Sequence, residues 1–168
     1  MTDATTNAPD GGQPAAASRG APQIAILAQF VRKLTFDNAG ALEKPAETPK
    51  ITVNINVDAS KRGDGQYLVA LRLSAEAKAG EARVYAMELD YAGVFSVEGV
   101  EAKVLEAVLL VECPRLLFPF ARRIVADCTR DGGYQPMMLD PVDFVALYRN
   151  ELERRKAAGG GQAPQPSA

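Results

Sequence analysis

The chain has 168 residues, enough for one domain with its own core. Its composition, 47% hydrophobic and 24% charged, is that of an ordinary globular protein, and a net charge of −2 argues against a nucleic-acid surface built from clustered Lys and Arg. There is no histidine, which removes Ser-His-Asp chemistry, Cys-His nucleophiles and most zinc sites together. The two cysteines, Cys113 and Cys128, have no CxxC spacing and fit a reducing compartment better than a disulfide framework.

Residues 1–22 are Ala, Thr, Gly, Pro and Gln with few apolar side chains, and residues 157–168 are similar. Both stretches are expected to be disordered, leaving 23–156 as the folded domain. Asp3 and the absence of an apolar run near the N-terminus predict no signal peptide, and no window is apolar enough to cross a bilayer.

A first strand is predicted over Ala28–Phe36. Asn38–Pro49 contains Gly40, Pro45 and Pro49 and reads as a long crossover loop with one large apolar residue, Leu42. Ile51, Val53, Ile55 and Val57 then alternate with Thr52, Asn54, Asn56 and Asp58, the pattern of an antiparallel strand with one wet side. Lys61–Gly65 supplies a turn. Tyr67, Val69, Leu71 and Leu73 share one side of a third strand, and Arg72, Ser74 and Glu76 the other. A fourth strand runs over Arg83–Val97, with Tyr85, Met87, Leu89 and Tyr91 on one side and Ala86, Glu88 and Asp90 on the other.

After Glu98 the period changes. Val100, Val104, Leu105, Val108 and Leu109 form a helical stripe up to Glu112. Cys113-Pro114 either breaks that helix or passes it on to a second one over Pro114–Arg130. Pro119 is expected to bend the second helix or mark its start. Gly132-Gly133 supplies left-handed residues to end it. For the last helix, Asp140 is the expected N-cap, Pro141 the first helical residue and Asp143 part of the first turn. Phe144, Leu147 and Tyr148 are its apolar stripe.

Four strands followed by helices give an α+β fold: a four-stranded antiparallel sheet with helices on one face. The apolar supply exceeds what one small sheet hides, so oligomerisation is expected. Missing are GxSxG, P-loop and GxGxxG motifs, so neither catalytic residues nor cofactors nor metals are assigned.

Two long, irregular phrases carry a family resemblance. One is Tyr91-Ala92-Gly93-Val94-Phe95-Ser96-Val97-Glu98-Gly99-Val100. The other begins at Cys113-Pro114 and Leu116-Leu117-Phe118-Pro119-Phe120-Ala121-Arg122, continues through Gly132-Gly133-Tyr134, and ends at Leu139-Asp140-Pro141-Val142-Asp143-Phe144 with Leu147-Tyr148. Together they resemble SecB, the bacterial protein-export chaperone family, over about Gln23–Asn150. The resemblance implies a cytoplasmic, ATP-independent holdase. It would bind unfolded secretory preproteins, assemble as a homotetramer (a dimer of dimers) and deliver clients to the SecA translocase ATPase. No nucleic acid and no membrane insertion are implied.

Carried residue by residue, the family's client groove implies Leu42, Ile51, Val53, Phe144 and Tyr148. Its SecA-docking face implies Asp37, Ala86 and Glu88, and Asp90, on the same side of the strand, is added as a compensating acid. Two departures stand out: Lys33 falls on a position usually acidic in the family, and the chain has no tryptophan. Tyr85, Met87, Leu89 and Tyr91 are candidates for an inward or subunit-facing surface. The alternative function is a small α+β ligand-binding protein or enzyme using Glu88 or Asp90 as a base, and a third is a purely structural oligomer.

Overall fold

A computed structural model describes residues 23–43 and 45–159. Four strands, β1 (Gln23–Asp37), β2 (Lys50–Gly63), β3 (Gln66–Ala79) and β4 (Ala82–Glu98), form one antiparallel sheet in the order β1-β4-β3-β2. β2, β3 and β4 are a meander with two tight turns. Gly65 (φ 66) and Gly80 (φ 57) supply the left-handed residues that those turns require. The crossover loop carries the chain from β1 at one edge of the sheet to β2 at the other.

The strands are longer than the sequence pattern indicated. β1 begins at Gln23, not Ala28, and β2 continues through the expected turn to Gly63, leaving Asp64-Gly65 as the loop. Two irregularities hide β1 from a period-two reading. Extra residues lie between Ile26 and Ala28 and between Val31 and Lys33. Each shifts the alternation by one, so Val31 faces the same side as Tyr91 while Lys33 faces the opposite side with Asp90.

Helix α1 (Ala102–Ala107) runs into a π-helical segment, Val108–Glu112, and then into α2 (Cys113–Asp131). Glu112 keeps helical dihedrals, so Cys113-Pro114 passes the helix on. The widened π turn lies where the Pro114 ring would meet the carbonyl four residues back. Pro119 is inside α2 and does not start it. Of the two glycines after α2, only Gly133 is left-handed (φ 90), while Gly132 stays helical (φ −72).

The last helix, α3, spans Phe144–Gly159. Asp140 is not its cap. The Asp143 carboxylate accepts from the Ala146 N–H at 3.0 Å, which makes Asp143 the N-cap, three residues later than expected. The final three residues, Ala157–Gly159, belong to α3 and not to the expected C-terminal tail. The rest of that tail and residues 1–22 lie outside the described residues.

All the helices lie on one side of the sheet. Their core joins Val69, Leu71 and Leu73 of β3 and Met87, Leu89, Tyr91 and Phe95 of β4 to Leu109, Leu117, Ala121, Val125 and Phe144. Thr129, buried in α2, pins the following loop. Its hydroxyl donates to the Val125 carbonyl at 3.0 Å and accepts from the Met137 N–H at 2.9 Å. That bond delivers Met137 and Leu139 to the core and sets where α3 begins.

Candidate functional site

The inner strands are finished and the outer strands are not. On β4, Tyr85, Met87, Leu89 and Tyr91 are 4%, 3%, 1% and 6% exposed. The chain's own helices and aromatic neighbours cover them. Tyr85 stacks between Phe36 and Tyr134, at 5.6 and 4.8 Å between ring centres, and Tyr91 stacks on Phe120 at 6.5 Å. The expected subunit-facing role for these four is therefore corrected: they are core of a single chain.

Apolar surface is left open at the two margins. Along β1, Ile26, Leu27, Val31 and Leu34 remain exposed, Phe30 is exposed on the opposite side of the strand, and Leu116 and Phe120 are exposed on α2. Among the described residues β1 pairs only with β4, which leaves its other edge of 15 residues without a strand partner there. At the opposite margin, Ile51 is 50% exposed and Val53 is 37% exposed, and in the crossover loop Leu42 projects fully into solvent. Leu42 rises from an anchored base: the Gly40 N–H donates to the Val84 carbonyl at 2.7 Å. Asn38 is clamped between the Tyr134 hydroxyl (2.6 Å) and the Gly132 carbonyl (3.0 Å).

The five residues proposed for a client groove are not equivalent. Ile51 and Val53 share a side of β2 with Ile55 and Val57, the side the helices occupy. Tyr148 meets this row further along, in a crevice of about 440 Å³ where Ile55, Val57, Leu110 and Leu147 share the lining with the polar Asn56, Asp58, Arg72, Glu151, Arg154 and Arg155. A neighbouring hollow of about 300 Å³ is lined by Val57, Ala59, Leu105 and Leu109. Phe144 is elsewhere. It is 1% exposed and packs edge-on against Phe118 at 5.9 Å, so it is corrected from groove lining to core. The sequence reading placed Ile55 and Val57 on β2 and Leu105 on a helical stripe without assigning them to the groove, and did not single out Leu110. Their signal was present, since Ile55 and Val57 continue the alternation of Ile51 and Val53.

Among the described residues, the opposite side of the sheet carries no helix. Asp37, Ala86, Glu88 and Asp90 all lie on it, as read from the sequence, in three successive cross-strand rows: Asp37 with Ala86, Thr35 with Glu88, and Lys33 with Asp90. Each acid already has a base from the same chain. Arg83 binds Asp37 at 2.6 Å and Lys33 binds Glu88 at 2.6 Å. Arg32 and Arg72 approach Asp90 at 3.8 and 3.6 Å, and Arg72 also holds Asp58 at 2.8 Å. Asp90 is the most sheltered of the three acids, and its Oδ1 is buried without a hydrogen-bond partner among the described residues.

This geometry is wrong for a general base. A base needs its carboxyl raised by burial. The Lys33 ammonium bonded to Glu88 instead holds that carboxyl below its usual range. The thiols are no better as nucleophiles: burial, helped by the Glu112 charge, pushes Cys113 up to about 12, and burial with nearby Asp131 and Asp127 raises Cys128. Among the described residues, no group of three or more carboxylates and cysteines could hold a metal, and no helix is long and apolar enough to cross a membrane.

The whole is a helix-backed antiparallel sheet with open apolar margins and a salt-bridged outer face. The comparisons identify the family. A family model described as preprotein translocase subunit SecB matches residues 17–155. A protein-export protein SecB of Hyphomonas neptunium is 47% identical, the match covering 96% of this chain and 98% of the relative. One of Parvibaculum lavamentivorans is 43% identical, covering 98% and 99%. Among solved structures, the Mycobacterium tuberculosis Rv1957 SecB-like chaperone, in complex with a ChAD peptide from the Rv1956 HigA1 antitoxin, shares the fold. Its TM-score is 0.61 at 16% identity, over 71% of this chain and 91% of that one. The chain belongs to the SecB family, and its role is that of a chaperone in protein export.

Proposed function

We propose that the chain is an ATP-independent holdase of the cytoplasm that binds unfolded secretory preproteins, keeps them competent for translocation and passes them to the SecA translocase ATPase. The observation that carries this reading is the apolar surface left open beside a completed core, at Leu42, Ile51 and Val53. Extended polypeptide gains from such surface without any exact sequence, because each apolar contact contributes by area, about 25 cal/mol per Å². That a SecB-like chaperone of this fold carries a bound peptide agrees with it.

The working unit in this proposal is a homotetramer, a dimer of dimers. The β1 margin supports it: a long unpaired edge with Ile26, Phe30, Val31 and Leu34 exposed is a surface that a second copy would cover. Several open margins on one assembly would let a long client bind at many weak points. Docking to SecA is assigned to the open face, through Asp37, Glu88 and Asp90 around Ala86.

Light scattering of a denatured preprotein diluted into buffer tests the holdase reading. Aggregation should fall in proportion to added chaperone and stop near one tetramer per client. Unchanged scattering at that ratio sinks the proposal.

A further inference from the structure

The crossover loop leaves the sheet over a small second core, where Phe36 and Tyr134 pack against the buried Ala77, Val84 and Tyr85. Tyr134 makes two contacts there. Its ring lies on Tyr85, 4.8 Å between centres, and its hydroxyl donates to the Asn38 Oδ1 at 2.6 Å, with the Val84 carbonyl 3.4 Å away. Tyr134 is itself fixed to α2, because its N–H donates to the Thr129 carbonyl at 3.0 Å. The Asn38 side-chain amide donates in turn to the Gly132 carbonyl at 3.0 Å. Gly132 has no room for a side chain, since a Cβ there would stand 2.6 Å from Phe36 Cε1. The end of α2 thus grips the first residue of the loop from two sides.

The loop beyond Asn38 is built on that grip. The Ala41 N–H donates to the Asn38 carbonyl at 3.4 Å and the Glu43 N–H to the Gly40 carbonyl at 3.1 Å, while Gly40 is tied to Val84. Leu42 stands on these two overlapping turns, whose first residues are both tethered, and is fully exposed. An apolar side chain held out at a fixed place gives up less freedom when another chain covers it than one on a loose loop. We propose that Tyr134 is a positioning residue for client binding: through Asn38, its hydroxyl holds the crossover loop so that Leu42 is presented preformed to an extended apolar client segment. This rests on the reading that Leu42 belongs to the client surface. Tyr134 acts through the loop and not by touching the client.

Two readouts on the full-length protein test this. The chain has no tryptophan, so one in place of Leu42 reports loop motion by its fluorescence anisotropy. Client affinity is read by titrating a dye-labelled protein kept unfolded by reduction and carboxymethylation. Tyr134→Phe keeps the ring on Tyr85 and removes only the hydroxyl. It should lower the tryptophan anisotropy and weaken client binding about two- to fivefold, within the span of one hydrogen bond. Asn38→Ala should do the same, and adding Tyr134→Phe to it should cost nothing further. In a Leu42→Ala background, itself weakened, removing the hydroxyl should change affinity by less than about 1.5-fold. An equal loss from Tyr134→Phe in both backgrounds overturns the proposal, since the hydroxyl would then act through general stability. Unchanged anisotropy, or unchanged client binding while Leu42→Ala is weakened, overturns it as well. Wild-type client binding by Leu42→Ala takes the loop out of the client surface, and the proposal falls with that part of the reading.

Discussion

The inner and outer strands are written in the same alternating pattern and have opposite fates. On β3 and β4 the apolar positions, from Val69 to Leu73 and from Tyr85 to Tyr91, are sealed beneath the helices. On β1 and β2 the equivalent positions, Leu34, Ile51 and Val53 among them, stay open. The helices seal the pair of strands in the middle and leave apolar positions open at the two margins. Burial here is decided by position in the sheet, not by side-chain type, and the margins are where function is expected.

The difference predicts a sharp divergence between two large-to-small substitutions. Phe144→Ala removes a ring packed on Phe118 and should lower unfolding free energy by about 3–5 kcal/mol in chemical denaturation. Ile51→Ala should cost less than about 1 kcal/mol, because half of that side chain is already wet, while weakening client holding. Equal destabilisation would show that the β2 margin is covered after all.

The margins differ from each other as well. A charge on β1, such as Leu34→Lys, should leave the chain folded and lower its molar mass in solution, measured by light scattering during size exclusion. Retention of the wild-type mass would move the subunit contact away from β1. Within the roofed region, Gly93→Ala offers a milder test. A Cβ there would meet Leu117 Cδ2 at 2.9 Å and Phe95 Cε2 at 2.8 Å. Both are ends of side chains that can yield, so the expected loss is about 1–3 kcal/mol.

Much of this contrast was readable in advance, and the failures have definite causes. The alternation from Ile51 to Val57 announced β2 because nothing interrupts it, whereas two extra residues broke the rhythm of β1 and concealed its first five positions. Asp140-Pro141 looked like a helix start because Pro suits a first turn, but Thr129 holds the loop at Met137 and delays α3 to Phe144. Phe144 was placed in the groove by the family resemblance, and the contact that makes it core, with Phe118, comes from a helix distant in sequence. Placing Tyr85 to Tyr91 at a subunit contact failed for the same reason. Their covers, Tyr134 and Phe120, come from other elements. Glu88 and Asp90 were placed on the open face by period two and Asp37 by the family resemblance, but the base facing each acid depends on neighbouring strands and was not found.

The roofed region also contains a pH probe that the margins lack. Cys113 is fully buried, and its thiol is pushed up from an ordinary value of 9.0 to about 12. A raised folded-state pKa means the folded chain keeps its proton where the unfolded chain loses it. The stabilisation is complete below pH 9 and declines as pH rises toward 12, by up to about 1.4 kcal/mol per pH unit. Cys113→Ala should flatten that alkaline decline relative to wild type. The slope is the readout, since the lost sulfur shifts the overall level too. Matching slopes would place the thiol in contact with water.

The smallest stability effect belongs to the open face, and there the contrast between folding and function should be widest. Glu88→Lys replaces an exposed acid whose one close partner is the exposed Lys33. Pairs of this kind contribute little to folding, so unfolding free energy should move by less than about 0.5 kcal/mol. Two lysines would then face each other across β1 and β4, repelling any basic segment, and binding to SecA should fall while client holding stays near wild type. A parallel loss of both activities would mean that clients also lie across the open face, and the division between wet face and apolar margin would have to be given up.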